Sequence, residues 1–490
     1  MTSGARQTVH AMRIGPTLTP DRSRVLIRPF QPTSDAISRS IVARVVALSD
    51  DEVDRVLRQV LGEFDDRHEQ VKQIFRHRFT QVRHYLGEAQ EPSPERQELI
   101  GSYFTHEYSF ESAALFNPSV VPHPDQTGMP PGALRFILSL RATGEGHISS
   151  ITFRTGAVSA QHRITLTPPV PLVTEPECLP NALYEKPLFA RKLKELGVQN
   201  DFCQRVLEQL PEAFILDDLR HQVMKAERRQ TDPADATADH AARGILLLAE
   251  SNYEVRFAPD SHVSQRVLFP SSPGQSNGIE DARFVRFQND DGSFTYYATY
   301  TAYDGKIILP QFLETPDFVH FKFITLNGPA VQNKGMALFP RKVNGHYAML
   351  SRQDDENILL MFSDNIHFWH SPELLLPPAQ PWEFVKIGNC GSPIETEAGW
   401  LVLTHGVGPM RKYCLGAVLL DLEDPTRILG RLREPLLTPN EAEREGYVPN
   451  VVYTCGALLH GRELVIPYAM SDYATSFASV SLDELLGAME

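Results

Sequence analysis

The sequence predicts a mainly β fold that follows a helical amino-terminal region. Apolar residues keep helical spacing between about residues 49 and 88, whereas from about residue 105 the chain changes to short runs of β-forming residues separated by turns. The 490 residues include 37 prolines and 30 glycines, which also indicates many turns. Because the length exceeds the usual range of a single domain, we predict a helical region over 1–104 and a β domain over 105–490.

The helical region begins at a sequence signature of a helix start. Ser49 and Glu52 have the spacing of a capping box, and the helical pattern after them predicts one long helix or two. Its charged residues fall mostly on the opposite face, which is typical of a solvated surface; an oligomer contact or a cap over the active site is the alternative. Residues 91–95 indicate a break, and 96–104 predict a short helix that leads into the β domain.

Alternating β-forming segments predict hairpins within the β domain. Two of them are expected, 134–141 with 148–154 and 284–287 with 295–300. A weak similarity between 315–321 and 363–369 is typical of sheets repeated around an axis. A helical piece interrupts the pattern, and Gly197 has the position of a helix stop. We therefore predict an insertion over about 175–245, with a mobile loop over 230–237.

Composition limits the classes of partner. The formal net charge of −14 argues against a nucleic-acid partner, whereas a neutral sugar fits. The first residues lack an apolar leader segment, and no run approaches the roughly 20 apolar residues that a membrane span needs, so we expect a cytoplasmic protein without a membrane partner. Neither the five scattered cysteines nor the histidines and carboxylates have metal-ligand spacing, which predicts reduced thiols and no metal.

One six-residue segment concentrates the chemistry. Gly278 to Arg283 places two carboxylates and a guanidinium between a turn-rich run and an apolar segment, at the mouth of the second predicted hairpin. An exposed acidic turn, with Arg283 as a local ion-pair partner, is the alternative explanation. The segment therefore marks either a site or a solvated turn.

Further segments along the chain favour the site. The sequence resembles glycoside hydrolase family 130, whose signature Gly-x-Glu-Asp-Pro-Arg is similar to Gly278–Arg283, with Ala282 where the family usually has proline. The similarity continues in order through 115–119, 333–340, 344–347, Arg352, 399–406, 413–421 and 448–453. Members of the family are mannoside phosphorylases and mannosidases built on a five-bladed β-propeller. The resemblance thus implies a five-bladed propeller over 105–490, with a helical insertion and an amino-terminal helical region.

The resemblance also implies roles for individual residues. Asp281 matches the general acid, which in the phosphorylases is thought to act through a sugar hydroxyl, and Glu280 and Arg283 would fix sugar hydroxyls or orient Asp281. Weaker candidates for contacts with the sugar substrate are Asn117, Arg141, Asp304 and Asp472. Candidates for phosphate binding are Lys334, Arg352, His405 and Tyr413.

Each phosphate candidate has a structural alternative. Lys334 has the pattern of a solvated lysine before a strand, Arg352 has Asp354, Asp355 and Glu356 nearby as ion-pair partners, and His405 has the pattern of a core histidine. The ordered set of matching segments makes a joint coincidence improbable.

Three functions are compatible with these residues. The first is a phosphorylase that cleaves a β-mannoside or manno-oligosaccharide with inversion, using inorganic phosphate as co-substrate and no cofactor, because an anionic nucleophile needs cations rather than a second carboxylate. The second is a β-mannosidase, with Asp304, Glu356 or Asp472 as base. The third is a mannosyl-transferring or carbohydrate-binding propeller. A homo-oligomer formed through the helical regions is a further expectation.

Overall fold

A computed structural model describes residues 8–87, 91–179, 183–229, 236–303 and 308–490. The amino-terminal part holds two strands, four helices and a third strand. In order these are β1 Met12–Leu18, β2 Val25–Pro29, α1 Asp35–Val46, α2 Asp50–Phe64, α3 Val71–Val82, α4 Pro94–Tyr103 and β3 Thr105–Ser109.

The capping box is confirmed at the start of α2. The Ser49 hydroxyl accepts a hydrogen bond from the Glu52 amide, and the Glu52 carboxylate accepts one from the Ser49 amide. The helical pattern forms two helices, and α4 occupies the position of the predicted short helix. Helix α1 and the pairing of β2 with β3 were not predicted, since α1 buries few residues and neither strand has a pronounced alternation.

Five units of antiparallel strands follow, interrupted once by the insertion; the first two are joined in one 11-stranded sheet by a parallel bridge between Ser149 and Gly278. The first unit contains β4 Ala114–Pro122, β5 Leu134–Thr143, β6 Ser149–Val158 and β7 Ile164–Leu166. The insertion and the strands after it are β8 Glu177–Leu179, β9 Leu183–Glu185, α5 Lys186–Glu195, α6 Asp201–Glu208, β10 Ala213–Ile215, α7 Leu216–Arg228, α8 Ala236–Glu250, β11 Tyr253–Arg256 and β12 Val267–Leu268.

The remaining units lie in chain order. The second contains β13 Gly278–Gln288, β14 Phe294–Tyr303, β15 Ile308–Thr315 and β16 His320–Thr325, and the third contains β17 Ala337–Leu338, β18 Tyr347–Ser351, β19 Ile358–Ser363 and β20 Pro372–Leu376. The fourth contains β21 Lys386–Asn389, β22 Ile394–Thr396, β23 Gly399–Val407, β24 Tyr413–Leu420 and β25 Ile428–Arg431. The fifth contains β26 Val452–Tyr453, β27 Leu458–His460, β28 Glu463–Met470 and β29 Ala474–Ser481, and α9 Leu482–Gly487 follows it.

Neighbouring units pack against each other in sequence, and the fifth returns to the first. Strand β4 contacts both β13 of the second unit and β28 of the fifth. Strand β1 pairs with β29, so the chain's first strand completes the last sheet. The mainly β fold and both predicted hairpins are confirmed, whereas the five-bladed propeller and the domain division at residue 104 stay predictions.

The weak internal repeat corresponds to equivalent connections. Residues 315–321 link the third strand to the fourth in the second unit, and 363–369 occupy the same place in the third unit. Thr315 and Ser363 open these connections in the same way, because each hydroxyl accepts a hydrogen bond from a backbone amide two or three residues later. The similarity therefore reflects one turn used twice.

The insertion has a hydrophobic core of its own. Phe189, Leu193, Phe202 and Val206 pack there, together with residues of α7 and α8. Helix α5 ends at Glu195, and Gly197, just after the C-cap Leu196, has a φ of 68° that suits glycine, as predicted. Helices α7 and α8 were not predicted, and most of the expected mobile loop lies outside the described residues.

Two further expectations concern cysteines and membranes. All five cysteines are free thiols, and four of them are buried. No helix in the described part of the chain combines the length and apolar character that crossing a bilayer requires. The cytoplasmic location stays a prediction.

Candidate active site

The two adjacent carboxylates of the signature lie inside strand β13, not in a turn before it. The pairing of β13 with β14 shifts register between Glu280 and Arg283, and Asp281 has a φ of 53°. Successive side chains of a regular strand point to opposite faces, but at this bulge both carboxylates reach Arg141. The bulge therefore brings two consecutive acidic side chains to one site.

A second bulge faces the first. Strand β4 shifts register between Phe116 and Ser119, and Asn117 within it has a φ of 47°. Its Nδ2 donates a hydrogen bond of 2.6 Å to Asp281 Oδ1. Its Oδ1 is buried and has no partner among the described residues, so a ligand hydroxyl could satisfy it. The expected juxtaposition of Asn117 with Asp281 is thus present.

Arg141 connects the first two units at the site. Its NH2 donates to Glu280 Oε1 at 2.7 Å, its NH1 lies 3.4 Å from Asp281 Oδ1, and its Nε donates to Ser149 Oγ at 2.8 Å. Burial lowers the pKa of the Arg141 guanidinium, but the charges of Asp281, Glu280 and Asp472 outweigh burial and raise it. Arg141 therefore stays charged among three carboxylates.

The ionisation of Asp281 results from opposing effects. Burial acts to raise its pKa, but the positive charges of Arg141, Lys334 and Arg283, with the hydrogen bond from Asn117, outweigh burial and lower the pKa below its usual value. Asp281 is therefore an anion at neutral pH.

Asp472 lies near Asp281 at the end of the fifth unit. It follows β28 in a turn where Ser471 and Asp472 have φ values of 48° and 52°. Burial and the negative charge of Asp281 raise the pKa of Asp472 to about 6. The site thus contains two neighbouring carboxylates that titrate in different pH ranges.

We expect Asp472→Asn to stabilise the protein at pH 7.5 but not at pH 4. The folded-state pKa of about 6 exceeds the ordinary aspartate pKa of 3.8, so the folded protein binds the proton more tightly and loses stability as pH rises from about 4 to above 6. Asparagine removes this loss, which is about 1 to 3 kcal/mol after allowance for partial exposure. Unfolding temperatures between pH 4 and 8 test the expectation.

The exposed Asp260 provides the control. Asp260→Asn should change the unfolding temperature little at either pH. A gain for Asp472→Asn that is equal at pH 4 and pH 7.5, or a loss at pH 7.5, would contradict a charge conflict at Asp472.

Two predicted phosphate ligands meet beside Asp281. Lys334 and Arg352 line one small cavity with Asp281, Arg283 and Met336. The Arg352 Nε donates to the Lys334 carbonyl at 3.2 Å. The Arg352 side chain needs a glycine at position 335, because a Cβ on Gly335 would lie 2.5 Å from Arg352 Nε. Arg352 makes no ion pair with Asp354, Asp355 or Glu356 within the described residues, which removes that alternative.

His405 was predicted to bind phosphate together with Lys334 and Arg352, but its surroundings do not favour a positive charge. Its ring is fully buried, and burial, with the charges of Arg352 and Arg283, lowers its pKa well below the usual value. The neutral Nε2 accepts a hydrogen bond of 3.0 Å from Arg352 NH1. His405 therefore holds Arg352 in place from behind and adds no charge.

Tyr413 lies next to His405. The two rings are nearly parallel, at an angle of 8°, with centroids 6.0 Å apart. The Arg411 guanidinium lies 5.8 Å from the Tyr413 ring, and its charge acts on Asp472. Tyr413 is thus near the cation cluster, and Arg411 extends the positive charge towards Asp472.

Arg283 has a different position from the one expected of a sugar ligand. It is 3% exposed, and its NH1 donates to the carbonyls of Gly335 at 2.7 Å and Asn389 at 3.0 Å. Its NH2 donates to the Tyr453 hydroxyl at 2.5 Å. Arg283 therefore joins the second unit to the third, fourth and fifth, and acts on Asp281 through its charge.

Two further candidates remain. Asp304 falls outside the described residues, so its place in the site stays a prediction. Glu356 is exposed in the turn before β19.

Sequence reasoning did not select several residues that the fold brings to the site. Ser149, Arg411 and Tyr453 contact or face the predicted residues. Tyr453 lies within a segment that carried the family resemblance, so the motif was visible but the contact with Arg283 was not. The left-handed backbone of Met410 and Arg411, at φ values of 59° and 54°, has no signature in the sequence.

Known proteins are similar to the part of the chain that contains most of the candidate site residues. The model of the glycoside hydrolase 130 family, described as β-1,4-mannooligosaccharide phosphorylase, matches residues 240–490. A 1,2-β-oligomannan phosphorylase from Thermoanaerobacter sp. (strain X514) is 36% identical over 227 residues, which are 45% of this chain and 73% of that protein. A β-1,2-mannobiose phosphorylase from Listeria innocua is 32% identical over 321 residues, which are 62% of this chain and 82% of that protein.

Solved structures were also compared with this chain. The structure of the Listeria innocua β-1,2-mannobiose phosphorylase in complex with β-1,2-mannobiose has a TM-score of 0.46 and 24% identity, covering 77% of this chain and 92% of that one. The family match itself spans the second to the fifth sheet unit and the candidate residues from Glu280 to Asp472.

Proposed function

Because the chain belongs to glycoside hydrolase family 130, we propose that it is a β-mannoside phosphorylase, which uses inorganic phosphate to cleave its substrate with inversion and releases α-mannose 1-phosphate reversibly. One observation carries the proposal: Asp281 lines the same small cavity as the cationic side chains Lys334 and Arg352. A carboxyl group and an anion site in such proximity are what phosphorolysis requires.

Phosphate binding would prepare Asp281 for its task. The surrounding cations keep the pKa of Asp281 low, which suits an anion and not a proton donor. A phosphate dianion between Lys334 and Arg352 offsets those positive charges and brings a like charge close to Asp281, and both effects raise its pKa. Co-substrate binding would thereby favour the protonated acid.

Phosphate then displaces the leaving sugar. A phosphate oxygen attacks the anomeric carbon of the mannosyl unit while the bond from that carbon to the leaving oxygen breaks. The leaving oxygen takes a proton that originates on Asp281 and passes through a hydroxyl of the sugar. Asp281 ends as a carboxylate beside Asn117 and Arg141, which stabilise the anion.

The five sheet units would be the blades of a five-bladed propeller. The contacts between successive units and the return of the fifth to the first support this arrangement, as does the pairing of β1 with β29. The contacts of Arg283 with three other units support a site at the axis of such a propeller.

A β-mannosidase on the same scaffold is the second candidate, because Asp472 offers a carboxylate near Asp281. Above its pKa of about 6, Asp472 is an anion and could activate water as a base. Mannose release in the absence of phosphate, abolished by Asp472→Asn, would favour this candidate.

The test of the proposed function runs the reaction in the direction of synthesis. The protein is incubated with α-mannose 1-phosphate and a panel of acceptor sugars that includes mannose and β-mannobiose, and released phosphate is assayed. Release above that of an Asp281→Asn control supports the phosphorylase. No release with any acceptor, together with phosphate-independent cleavage of β-mannosides, would replace it with the mannosidase.

Lys334→Ala and Arg352→Ala should each raise the KM for phosphate by about 10- to 100-fold, because each removes a charge-assisted contact worth about 1.5 to 3 kcal/mol. The KM for the mannoside should change much less. Steady-state phosphorolysis with phosphate varied from micromolar to molar concentrations measures the effect.

Matched controls lie at the opposite end of the sheets. Lys342, which pairs with Asp290, and Arg341, which pairs with Glu395, lie in the connection between β17 and β18, at the end of these strands away from Lys334 and Arg352. Lys342→Ala and Arg341→Ala should leave the KM for phosphate within about twofold of the wild type. An unchanged phosphate KM in both site variants would remove Lys334 and Arg352 from the phosphate site.

A further inference from the structure

An exposed aromatic pair spans the first and fifth sheet units beside the site. The rings of His147 and Tyr447 lie 5.3 Å apart at an angle of 30°. Tyr447 is 71% exposed, and His147 is exposed as well. Single exposed aromatic side chains are ordinary on protein surfaces, but two adjacent exposed rings form a contiguous patch of the kind that marks a binding surface.

Backbone contacts fix Tyr447 next to Asp472. The amide of Val448 donates to the Ser471 carbonyl at 3.2 Å, and a Cβ at Gly446 would lie 2.2 Å from the same oxygen. Tyr447 is therefore held between two residues that pack on the segment leading into Asp472.

His147 is fixed in a corresponding way next to Arg141. Its loop joins β5 to β6, and Ser149, two residues later, accepts the hydrogen bond from Arg141 Nε. His147 has a φ of 59°, a conformation that few residues other than glycine adopt. The backbone of this loop thus directs the imidazole towards the fifth unit.

The position of the pair relative to the cations indicates which sugar it contacts. In an in-line displacement the nucleophile and the leaving group occupy opposite sides of the anomeric carbon. Lys334 and Arg352 belong to the third unit, whereas Arg141 and Asp472, with the aromatic pair outside them, belong to the first and fifth. The side away from the phosphate site is the side of the leaving sugar.

We propose that His147 and Tyr447 form a platform that binds the leaving sugar in phosphorolysis and the acceptor sugar in synthesis, and this inference rests on the proposed function. The apolar C–H face of a pyranose ring suits the face of an aromatic ring, while its hydroxyls remain in water at an exposed rim. The platform would select an acceptor whose equatorial hydroxyls leave one such face free. His147 and Tyr447 act in binding and take no part in proton transfer.

Kinetics of synthesis with β-mannobiose as the varied acceptor test the platform. Tyr447→Ala should raise the acceptor KM by about three- to tenfold, because it removes the aromatic contact with the sugar, and His147→Ala should raise it by less. Tyr447→Phe keeps the ring and should retain the wild-type acceptor KM. The KM for α-mannose 1-phosphate, and the KM for phosphate in the reverse direction, should stay within about twofold in all three variants.

Two exposed residues on the opposite side of the sheets serve as controls. Phe294 opens β14 at the end away from Asp281, and His346 precedes β18 at the end away from Arg352. Phe294→Ala and His346→Ala should leave the acceptor KM unchanged, and unfolding temperatures should show that all variants fold.

The possible outcomes distinguish a failure of the platform from a failure of the proposed function. A wild-type enzyme that turns over, with acceptor KM values for Tyr447→Ala and His147→Ala within about twofold of its own, would overturn the platform alone. A rise in the phosphate KM equal to the rise in the acceptor KM would also overturn it. No phosphate release by the wild type with any acceptor would overturn the proposed function and the platform together.

Discussion

Asp281→Asn should fold like the wild type and lose at least about a thousandfold in turnover, because an amide cannot supply the proton that the leaving oxygen needs. The local structure should survive, since the amide oxygen of asparagine can still accept the hydrogen bond from Asn117 that Asp281 Oδ1 accepts now. Phosphate release from α-mannose 1-phosphate with β-mannobiose as acceptor measures the loss.

A substrate with an activated leaving group distinguishes an acid from a positioning group. 2,4-Dinitrophenyl β-mannoside expels a stable anion that needs no proton, so phosphorolysis of this compound should fall by much less than phosphorolysis of a β-mannobiose. An Asp281→Asn enzyme that loses the same factor on both substrates would show that Asp281 positions the sugar and does not deliver the proton.

The control for this substitution lies in the same hairpin. Asp291 is exposed in the turn between β13 and β14, at the end of β13 that is remote from Asp281. Asp291→Asn makes the same chemical change and should leave turnover within about twofold of the wild type. Equal losses in the two variants would indicate a general effect on the hairpin.

The family and the enzyme class, a glycoside phosphorylase or glycosidase, are confirmed by the match over 240–490. The chemistry of the site could be predicted because Gly278–Arg283 holds its acidic residues in adjacent positions. The placement of those residues could not, since a register shift depends on how β13 pairs with β14 and not on either strand alone. The sequence therefore placed the carboxylates at the mouth of the hairpin, whereas they lie inside its first strand.

Long-range contacts explain the other differences. His405 and Arg283 have residue types suited to ligand binding, but their surroundings come from three or four sheet units. Whether such a residue faces a ligand or supports its neighbour is decided by packing that a single sequence does not display. The pKa of His405 is lowered by the same packing.

The strands near the two ends of the chain show which part of the fold could not be predicted. The spacing of apolar residues in α2 and in the hairpins is a local signal, and those elements were predicted. Strand β1 carries glycine and proline and has a weak alternation, and its partner β29 lies at the other end of the sequence. Its place in the last sheet is set by a pairing that has no local signal.

Glu111→Gln should lower the free energy of unfolding by about 3 to 5 kcal/mol, because it leaves two buried guanidinium groups without their shared anion. Glu111 is fully buried, and both of its oxygens accept hydrogen bonds of 2.9 Å from Arg154 NH2. Arg24 NH1 donates to the same carboxylate at 3.1 Å. Burial and the charge of Arg154 lower the pKa of Arg24 to about 10 even with Glu111 present.

The triad of Arg24, Glu111 and Arg154 also ties the amino-terminal part to the first sheet unit. Arg24 lies just before β2, and Arg154 lies in β6. Loss of the anion should therefore loosen the attachment of the helical region as well as destabilise the sheet. Denaturant unfolding followed by tryptophan fluorescence and by circular dichroism of the helices measures both effects.

A partly exposed carboxylate on β3 provides the comparison. Glu107 contacts the buried His68 Nε2 at 2.8 Å and pairs with Arg67, whose side chain is 46% exposed. Solvent screens that pair, so Glu107→Gln should cost less than about 1 kcal/mol. Replacing all three triad residues by apolar ones of similar size should restore much of the stability lost in Glu111→Gln, because the penalty comes from uncompensated charge and not from lost volume. A Glu111→Gln protein that unfolds within about 1 kcal/mol of the wild type would show that water or a neighbouring group already compensates the two arginines.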